Sequence, residues 1–159
     1  MRDTAFKRVL KTMPIGTEVS IEGPFGSFTL HNDTTKPAVF LAGGIGITPF
    51  VGMIRHATQE KLPHQISLFY SNRRPEDSAF LTELQGLEKK NPHFYFIGTM
   101  TDMEKSKLPW SGKRGYIDEA MLREQIHDGT KPIYYIAGPP AMIVAMRAVL
   151  TNIGANEDH

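Results

Sequence analysis

The stretch Ala38-Val39-Phe40-Leu41-Ala42-Gly43-Gly44-Ile45-Gly46-Ile47-Thr48-Pro49 decides the fold. Five apolar residues come first, without alternation. That is how a short parallel strand buried on both faces reads. Three glycines follow within four residues, and they allow a sharp turn. Thr48 reads as a natural N-cap and Pro49 as a natural first helical residue. From residue 48 to about 60, Phe50, Ile54 and Ala57 share one helical face, with Val51 beside them. A strand, a glycine turn and a helix make the first half of a βαβ unit. The free amides of such a first turn attract an anion, and glycine lets a phosphate approach without meeting a Cβ. Three glycines in so short a turn weaken it unless something must come close. The expected visitor is a phosphate.

The alternation continues downstream. Gln65-Ile66-Ser67-Leu68-Phe69-Tyr70 reads as a second strand. Asp77 or Ser78 caps a helix to about residue 90, with Phe80, Leu81, Leu84 and Leu87 inward. Phe94-Tyr95-Phe96-Ile97-Gly98 is a third strand, and residues 100–115 a loop. A helix from Asp118 to about His127 leads to a fourth strand, Pro132-Ile133-Tyr134-Tyr135-Ile136-Ala137. The last helix runs from Pro139 to about Asn152. Alternating strands and helices imply an α/β fold, a doubly wound parallel sheet of at least four strands. Ligands in such sheets bind beyond the carboxyl ends of the strands, at the switch point. The first and fourth strands flank that point. The turn Ala137-Gly138-Pro139-Pro140 then shares one crevice with the glycine turn.

Upstream, the pattern differs. Thr17-Glu18-Val19-Ser20-Ile21-Glu22 and Ser27-Phe28-Thr29-Leu30 alternate as half-buried strands do, around Gly23-Pro24-Phe25-Gly26. Two short strands are too few for a domain. The expected division is 1–36, the tail of an all-β unit, and 37–159, the α/β domain.

The 159 residues carry 18 Lys and Arg against 17 Asp and Glu, with no long run of one sign. Nothing therefore marks a nucleic-acid or membrane surface. There is no cysteine, which excludes disulfides, thiolate metal sites and a cysteine nucleophile in this chain. No apolar run approaches the roughly 20 residues of a membrane helix. Residues 1–8 lack a signal peptide's apolar core, so the expected location is cytoplasmic. The six histidines show no ligand spacing, and no metal site is expected. No Ser stands in a nucleophile elbow. Trp110 reads as a loop anchor. The last helix is apolar nearly all round, and a face left uncovered there predicts self-association.

Taken together, Gly43 to Pro49, Tyr70-Ser71-Asn72-Arg73 and Ala137-Gly138-Pro139-Pro140 closely resemble the NAD(P)-binding domain of the ferredoxin–NADP reductase-like superfamily. Gly16-Thr17-Glu18-Val19 and Gly23-Pro24-Phe25-Gly26-Ser27-Phe28 resemble the closing strands of that family's flavin-binding barrel. The resemblance covers nearly the whole chain, in order. It implies a Rossmann-like domain that binds NAD(P)H and passes hydride to FAD or FMN. Electrons then move to a carrier protein or a small acceptor. It implies cofactor contacts at Gly43, Gly44, Gly46, Ile47, Thr48, Pro49, Ser71, Asn72, Arg73, Arg74, Gly138, Pro139 and Pro140. Thr48 is the position it sets beside flavin and nicotinamide. Arg2 and Thr4 resemble a second flavin motif that meets the flavin's phosphates.

Three features depart from the family pattern. The leading Arg-x-Tyr-Ser/Thr flavin strand is absent from the sequence. Ala137 stands where many members carry cysteine near the nicotinamide. After Asn156-Glu157-Asp158-His159, relatives continue into another strand. The chain therefore reads as truncated at both ends, with flavin retention and activity in isolation doubtful. Thr99-Met100-Thr101-Asp102 lacks the Ser-Arg pair that grips a 2′-phosphate, which tips the expectation slightly towards NADH. The rival from another class is a non-catalytic module that recognises the dinucleotide or a flavin.

Overall fold

The computed structural model describes residues 3–23, 25–126 and 131–155. Five parallel strands form one sheet: β1 (Ala38–Gly43), β2 (Ile66–Asn72), β3 (Phe94–Met100), β4 (Lys113–Arg114) and β5 (Ile133–Ala137), in the order β4-β3-β2-β1-β5. The order reverses at β1. Its neighbours are β2, with Gly43 level with Ser71, and β5, with Ala42 level with Ala137.

Helices cover both faces. α2 (Thr48–Gln59) and α3 (Leu81–Lys90) lie over one face, α4 (Glu119–Gln125) and α5 (Pro140–Asn152) over the other. Strand side chains alternate between the two cores. Phe40, Leu68 and Tyr70 meet Phe50, Ile54 and Leu84; Val39, Leu41 and Phe69 meet Leu122, Met146 and Leu150. Every residue of β1 is buried, as its uninterrupted apolar run requires.

Three expectations need correction here. Thr48 is not an N-cap. Residues Gly44–Ile47 already form a 3₁₀ turn, so helical winding starts four residues earlier, and the Thr48 hydroxyl donates back to the Ile45 carbonyl at 2.8 Å. Neither Asp77 nor Ser78 caps α3. Phe80 sits at φ 60 in the left-handed region, which breaks the helix before Leu81. Phe80 is consequently exposed beneath the Arg55 guanidinium rather than inward. The two upstream strands do not form. Residues 14–23 and 25–37 hold no strand among the described residues, although the alternation is present. Alternation gives a strand two faces but no partner, and a ladder needs one.

Asp118 does cap its helix, accepting the Met121 amide at 2.8 Å, and that helix ends at Gln125. His127 lies outside the described residues. β4 is a strand that residues 100–115 did not announce. Its two residues pair Thr99 with Lys113 and Met100 with Arg114. Trp110 anchors this loop as expected. Its indole donates to the Lys113 carbonyl at 2.9 Å and lies against Gly98 and Gly112, where any β-carbon would meet it within 2.7 Å.

The N-terminal segment holds α1 (Ala5–Thr12), none of whose residues is buried. Near its end the segment is tied to the sheet. Phe28 packs on the rings of Phe50 and Tyr135. The His31 amide donates to the Tyr135 hydroxyl at 3.0 Å, and His31 Nδ1 lies 2.9 Å from the same oxygen. His31 Nε2 donates to the Lys36 carbonyl at 2.9 Å, so Nδ1 is the ring's acceptor and the Tyr135 hydroxyl donates to it.

Candidate dinucleotide crevice

The carboxyl ends of β1, β2, β3 and β5 frame an open crevice of about 510 Å³. Its lining is Gly43, Gly44, Ser71, Asn72, Arg73, Arg74, Asp77, Thr101, Tyr116, Pro139 and Met142. The volume falls within the range of about 300–1,000 Å³ that small-molecule sites occupy.

The glycines at its floor have two different causes. A β-carbon on Gly46 would lie 2.2 Å from the Ala137 carbonyl oxygen, and one on Gly138 would lie 3.2 Å from the Gly43 nitrogen. A β-carbon on Gly43 would lie 2.3 Å from Met142 Sδ. These three glycines let the two turns pack directly on one another. Gly44 differs. Its φ is +53, and a β-carbon there would meet nothing within 4 Å. Gly44 alone opens its Cα face to a ligand. The close visitor expected at all three glycines of the turn is, at Gly43 and Gly46, the protein itself.

No side chain caps the start of the 3₁₀ turn at Gly44–Ile47. The orphan amides of that start therefore lie at the crevice floor. Ile47 is fully buried, so it adds only backbone. Thr48 and Pro49 are exposed on the same turn but do not line the crevice. Pro139 lines it and Gly138 backs it. Pro140 opens α5 and is exposed outside the lining.

The β2 side supplies polar groups. Arg74 is held by Asp77 through Nε at 2.8 Å and Nη2 at 2.9 Å, and it also donates to the Lys105 carbonyl at 3.3 Å. The Asp77 carboxyl is held below its ordinary range, first by that hydrogen bond and then by the charge of Arg74. The Arg73 carbonyl accepts the Asp102 amide at 2.9 Å, but the exposed Arg73 side chain makes no hydrogen bond or ion pair among the described residues and acts on Asp77 through its charge. Asn72 is buried in the crevice wall. Burial pushes the Tyr70 phenol above its ordinary value, and the Asn72 amide beside it acts to lower it again, so Nδ2 lies toward Tyr70 although it makes no hydrogen bond of full geometry. Ser71 lies half-buried in the same wall.

The far wall is braced. Glu76 accepts the Lys107 amide at 2.9 Å and the Ser106 hydroxyl at 2.8 Å. Thr101 donates its amide to the Asn72 carbonyl at 2.9 Å. These bonds fix the segment that precedes Tyr116, whose ring is 78% exposed and faces the crevice.

Of the residues expected from sequence, Gly43, Gly44, Ser71, Asn72, Arg73, Arg74 and Pro139 come together. Thr4 does not join them. It caps α1, accepting the Lys7 amide at 3.3 Å. Arg2 lies outside the described residues. Sequence reasoning missed Asp77, Thr101, Tyr116 and Met142. Met142 had a signal, since a first-turn helical side chain leans back over the turn before it. Tyr116 had none, because it depends on where an unforeseen two-residue strand delivers the loop. Among the described residues no group of acidic or histidine side chains could hold a metal ion. None of the described helices is long and apolar enough to cross a membrane.

Known proteins share this arrangement. Residues 40–148 match the oxidoreductase NAD-binding domain. The chain is 28% identical over 149 residues to the glycine betaine monooxygenase reductase subunit of Chromohalobacter salexigens, covering 94% of this chain and 40% of that protein. It is 30% identical over 135 residues to the propane 2-monooxygenase reductase component of Mycolicibacterium smegmatis, covering 82% of this chain and 38% of that one. Among solved structures, the cytochrome b5 reductase domain of Ulva prolifera nitrate reductase superposes with a TM-score of 0.83 at 23% identity, over 97% of this chain and 63% of that one. The chain thus spans about 40% of the length of these curated relatives.

Proposed function

Because the chain belongs to the oxidoreductase NAD-binding domain family, we propose that it is the nicotinamide-dinucleotide half of a flavin-dependent NAD(P)H oxidoreductase. The observation that carries this reading is Gly44, open and left-handed at an uncapped helix start. The pyrophosphate rests there, against backbone amides and the positive helix end. The adenosine lies toward β2 and β3. Arg73 approaches its phosphate or ribose, Asn72 forms part of the wall, and Tyr116 offers a face to the adenine. Ser71 completes that wall. Gly43, Gly46, Ile47 and Gly138 serve through backbone position. Thr48, Pro49 and Pro140, exposed at the helix starts, face the flavin side.

When bound, the nicotinamide supplies hydride and the flavin, FAD or FMN, receives it. The chain's own contribution is to bind and orient the dinucleotide. Electrons pass on to an acceptor such as an oxygenase component or a carrier protein; the relatives are reductase components of that kind. Residues 1–36 form the flavin-side unit, with Arg2 and Thr4 toward the flavin phosphates, and residues 37–159 the dinucleotide unit. The location is cytoplasmic. The chain associates with itself through apolar surface left uncovered, which includes Val144 of α5 and the exposed apolar side chains from Phe6 to Phe28. NADH is preferred over NADPH, since Arg74 is already committed to Asp77.

The test is direct. The purified chain is mixed with FAD, made anaerobic and treated with NADH or NADPH while the flavin band is recorded. Bleaching, faster with NADH, is the expected result. Calorimetric binding of NADH without flavin uptake would support a dinucleotide-binding module or a fragment of the enzyme. If neither dinucleotide binds, the crevice is not the seat.

A further inference from the structure

Tyr116 reaches the crevice without support from its own side chain. The ring is 78% exposed and makes no hydrogen bond or ring contact among the described residues. The backbone therefore decides where it stands. On the C-terminal side that backbone is secure, because Ile117 is buried and Asp118 caps α4. On the N-terminal side it depends on β4, and a ladder of two residues is too short to hold itself.

Trp110 supplies what β4 lacks. Its Cζ2 fills a slot between β3 and the residue before β4. A β-carbon on Gly98 would fall 2.7 Å from that atom, and one on Gly112 would fall 2.5 Å from it. The indole also donates to the Lys113 carbonyl at 2.9 Å and so grips β4 itself. From there the placement is handed on. Gly115 donates its amide to the Met100 carbonyl at 2.9 Å and accepts the Thr99 hydroxyl at 2.7 Å. Its φ of +95 turns the chain, and the next residue is Tyr116. β4 is also tied to α4 by the Lys113–Glu124 ion pair, but that pair is solvent-exposed and of the kind that contributes little.

We propose that Trp110 is a positioning residue for adenine: wedged between Gly98 and Gly112, it fixes β4 on β3 and thereby sets Tyr116 in the crevice wall. The inference rests on the crevice being the dinucleotide seat, with adenine against Tyr116, and goes beyond it. Trp110 does not line the crevice, so it acts through Tyr116 and not on the ligand. An exposed ring is a good stacking platform only when it is already in place, because ordering it on binding costs affinity.

The test is a double-mutant cycle on the whole chain, read by calorimetry with ADP, which carries the adenine and the phosphates. Tyr116→Ala and Trp110→Leu should each weaken ADP binding, Trp110→Leu by about threefold to tenfold. In the Tyr116→Ala background, Trp110→Leu should change the Kd by less than about twofold, because the ring it positions is gone. Gly112→Ala is a second route, since its methyl displaces the indole from the slot while the indole itself is kept. It should weaken ADP by a similar factor and should likewise lose its effect in the Tyr116→Ala background. If Trp110→Leu does not fold, Gly112→Ala runs the same cycle. Equal weakening by Trp110→Leu with and without Tyr116 would show that Trp110 loosens the crevice at large or touches ADP itself, and would overturn the proposal. Unchanged ADP affinity in Trp110→Leu would overturn it too. If Tyr116→Ala leaves ADP binding unchanged, adenine lies elsewhere and the proposal falls while the crevice stands. If the parent chain does not bind ADP, the reading of the crevice itself fails, and this inference with it.

Discussion

Gly44 and Gly46 stand two positions apart and are glycine for opposite reasons. At Gly46 the obstacle is the protein, since a β-carbon would sit 2.2 Å from the backbone of Ala137. Gly46→Ala must push two turns apart, and overpacking of this kind costs about 1–3 kcal/mol. A melting temperature lowered by about 2–12 °C is expected. At Gly44 there is room, but φ is +53. Gly44→Ala should fold, with a left-handed strain of about 1–2 kcal/mol, and should bind NADH at least tenfold more weakly, because its methyl would stand where the proposal puts the phosphate. Melting curves and calorimetry on both variants check this. A stable Gly46→Ala, or an unchanged Kd in Gly44→Ala, would refute the division. Tyr116 is the matching test at the other end. Tyr116→Ala should weaken NADH binding about fivefold to twentyfold, from the loss of one ring stack, with no change in melting temperature. The sequence made the glycine turn legible because glycine is a statement about space. It did not say whose atoms fill the space, since that depends on which turn β5 brings alongside.

At the scale of elements, the strands of the dinucleotide unit were legible because each is a short apolar run between turn residues, and β1 to β3 and β5 follow that pattern. What escaped were elements set by tertiary context. β4 exists because Gly98 and Gly112 make room for Trp110, and no periodicity announces two charged residues as a strand. The upstream alternation was legible but misleading, because nothing among the described residues pairs with it. The bracing of the crevice's far wall is likewise tertiary. Glu76 joins the turn after β2 to the loop before β4 through the Lys107 amide and the Ser106 hydroxyl. Its carboxyl lies below its ordinary value of 4.5, chiefly because of the Lys107 amide. A carboxyl depressed on folding adds stability above its unfolded pKa and loses it as pH falls through its folded one. The brace should therefore hold near neutrality and release below about pH 4.5. The protection of the Lys107 amide, its exchange measured against the intrinsic rate at each pH, should fall on acidification. Glu76→Ala should show the low protection already at pH 7. Exchange in that variant as slow as in the parent would mean the loop is held by Trp110 alone.

At the scale of the whole molecule, the two ends of the chain obey different rules. From Ala38 onward, buried apolar side chains form two cores on one sheet. In the first 28 residues the large apolar groups face outward: Phe6, Val9, Leu10, Ile15, Val19, Ile21, Phe25 and Phe28 are all exposed. Exposed large apolar groups in this number favour association. The domain itself does not lean on them, because α1 buries nothing and the first firm attachments are Phe28 and His31. Removing residues 1–26 should therefore leave the melting temperature within about 3 °C, since segments without buried groups contribute little. It should also keep NADH affinity unchanged, because no crevice residue is lost. Sedimentation velocity should show the full chain shifting to larger species with concentration and the shortened chain remaining monomeric. The sheet offers a contrasting surface for the opposite outcome. β4 ends one edge with Lys113 and Arg114, charges that discourage strand addition, whereas β5 ends the other with Ile133–Ala137, an uncharged edge. Association that survives the deletion would assign self-contact to β5. A shortened chain that fails to fold would show that residues 1–26 belong to the dinucleotide unit after all.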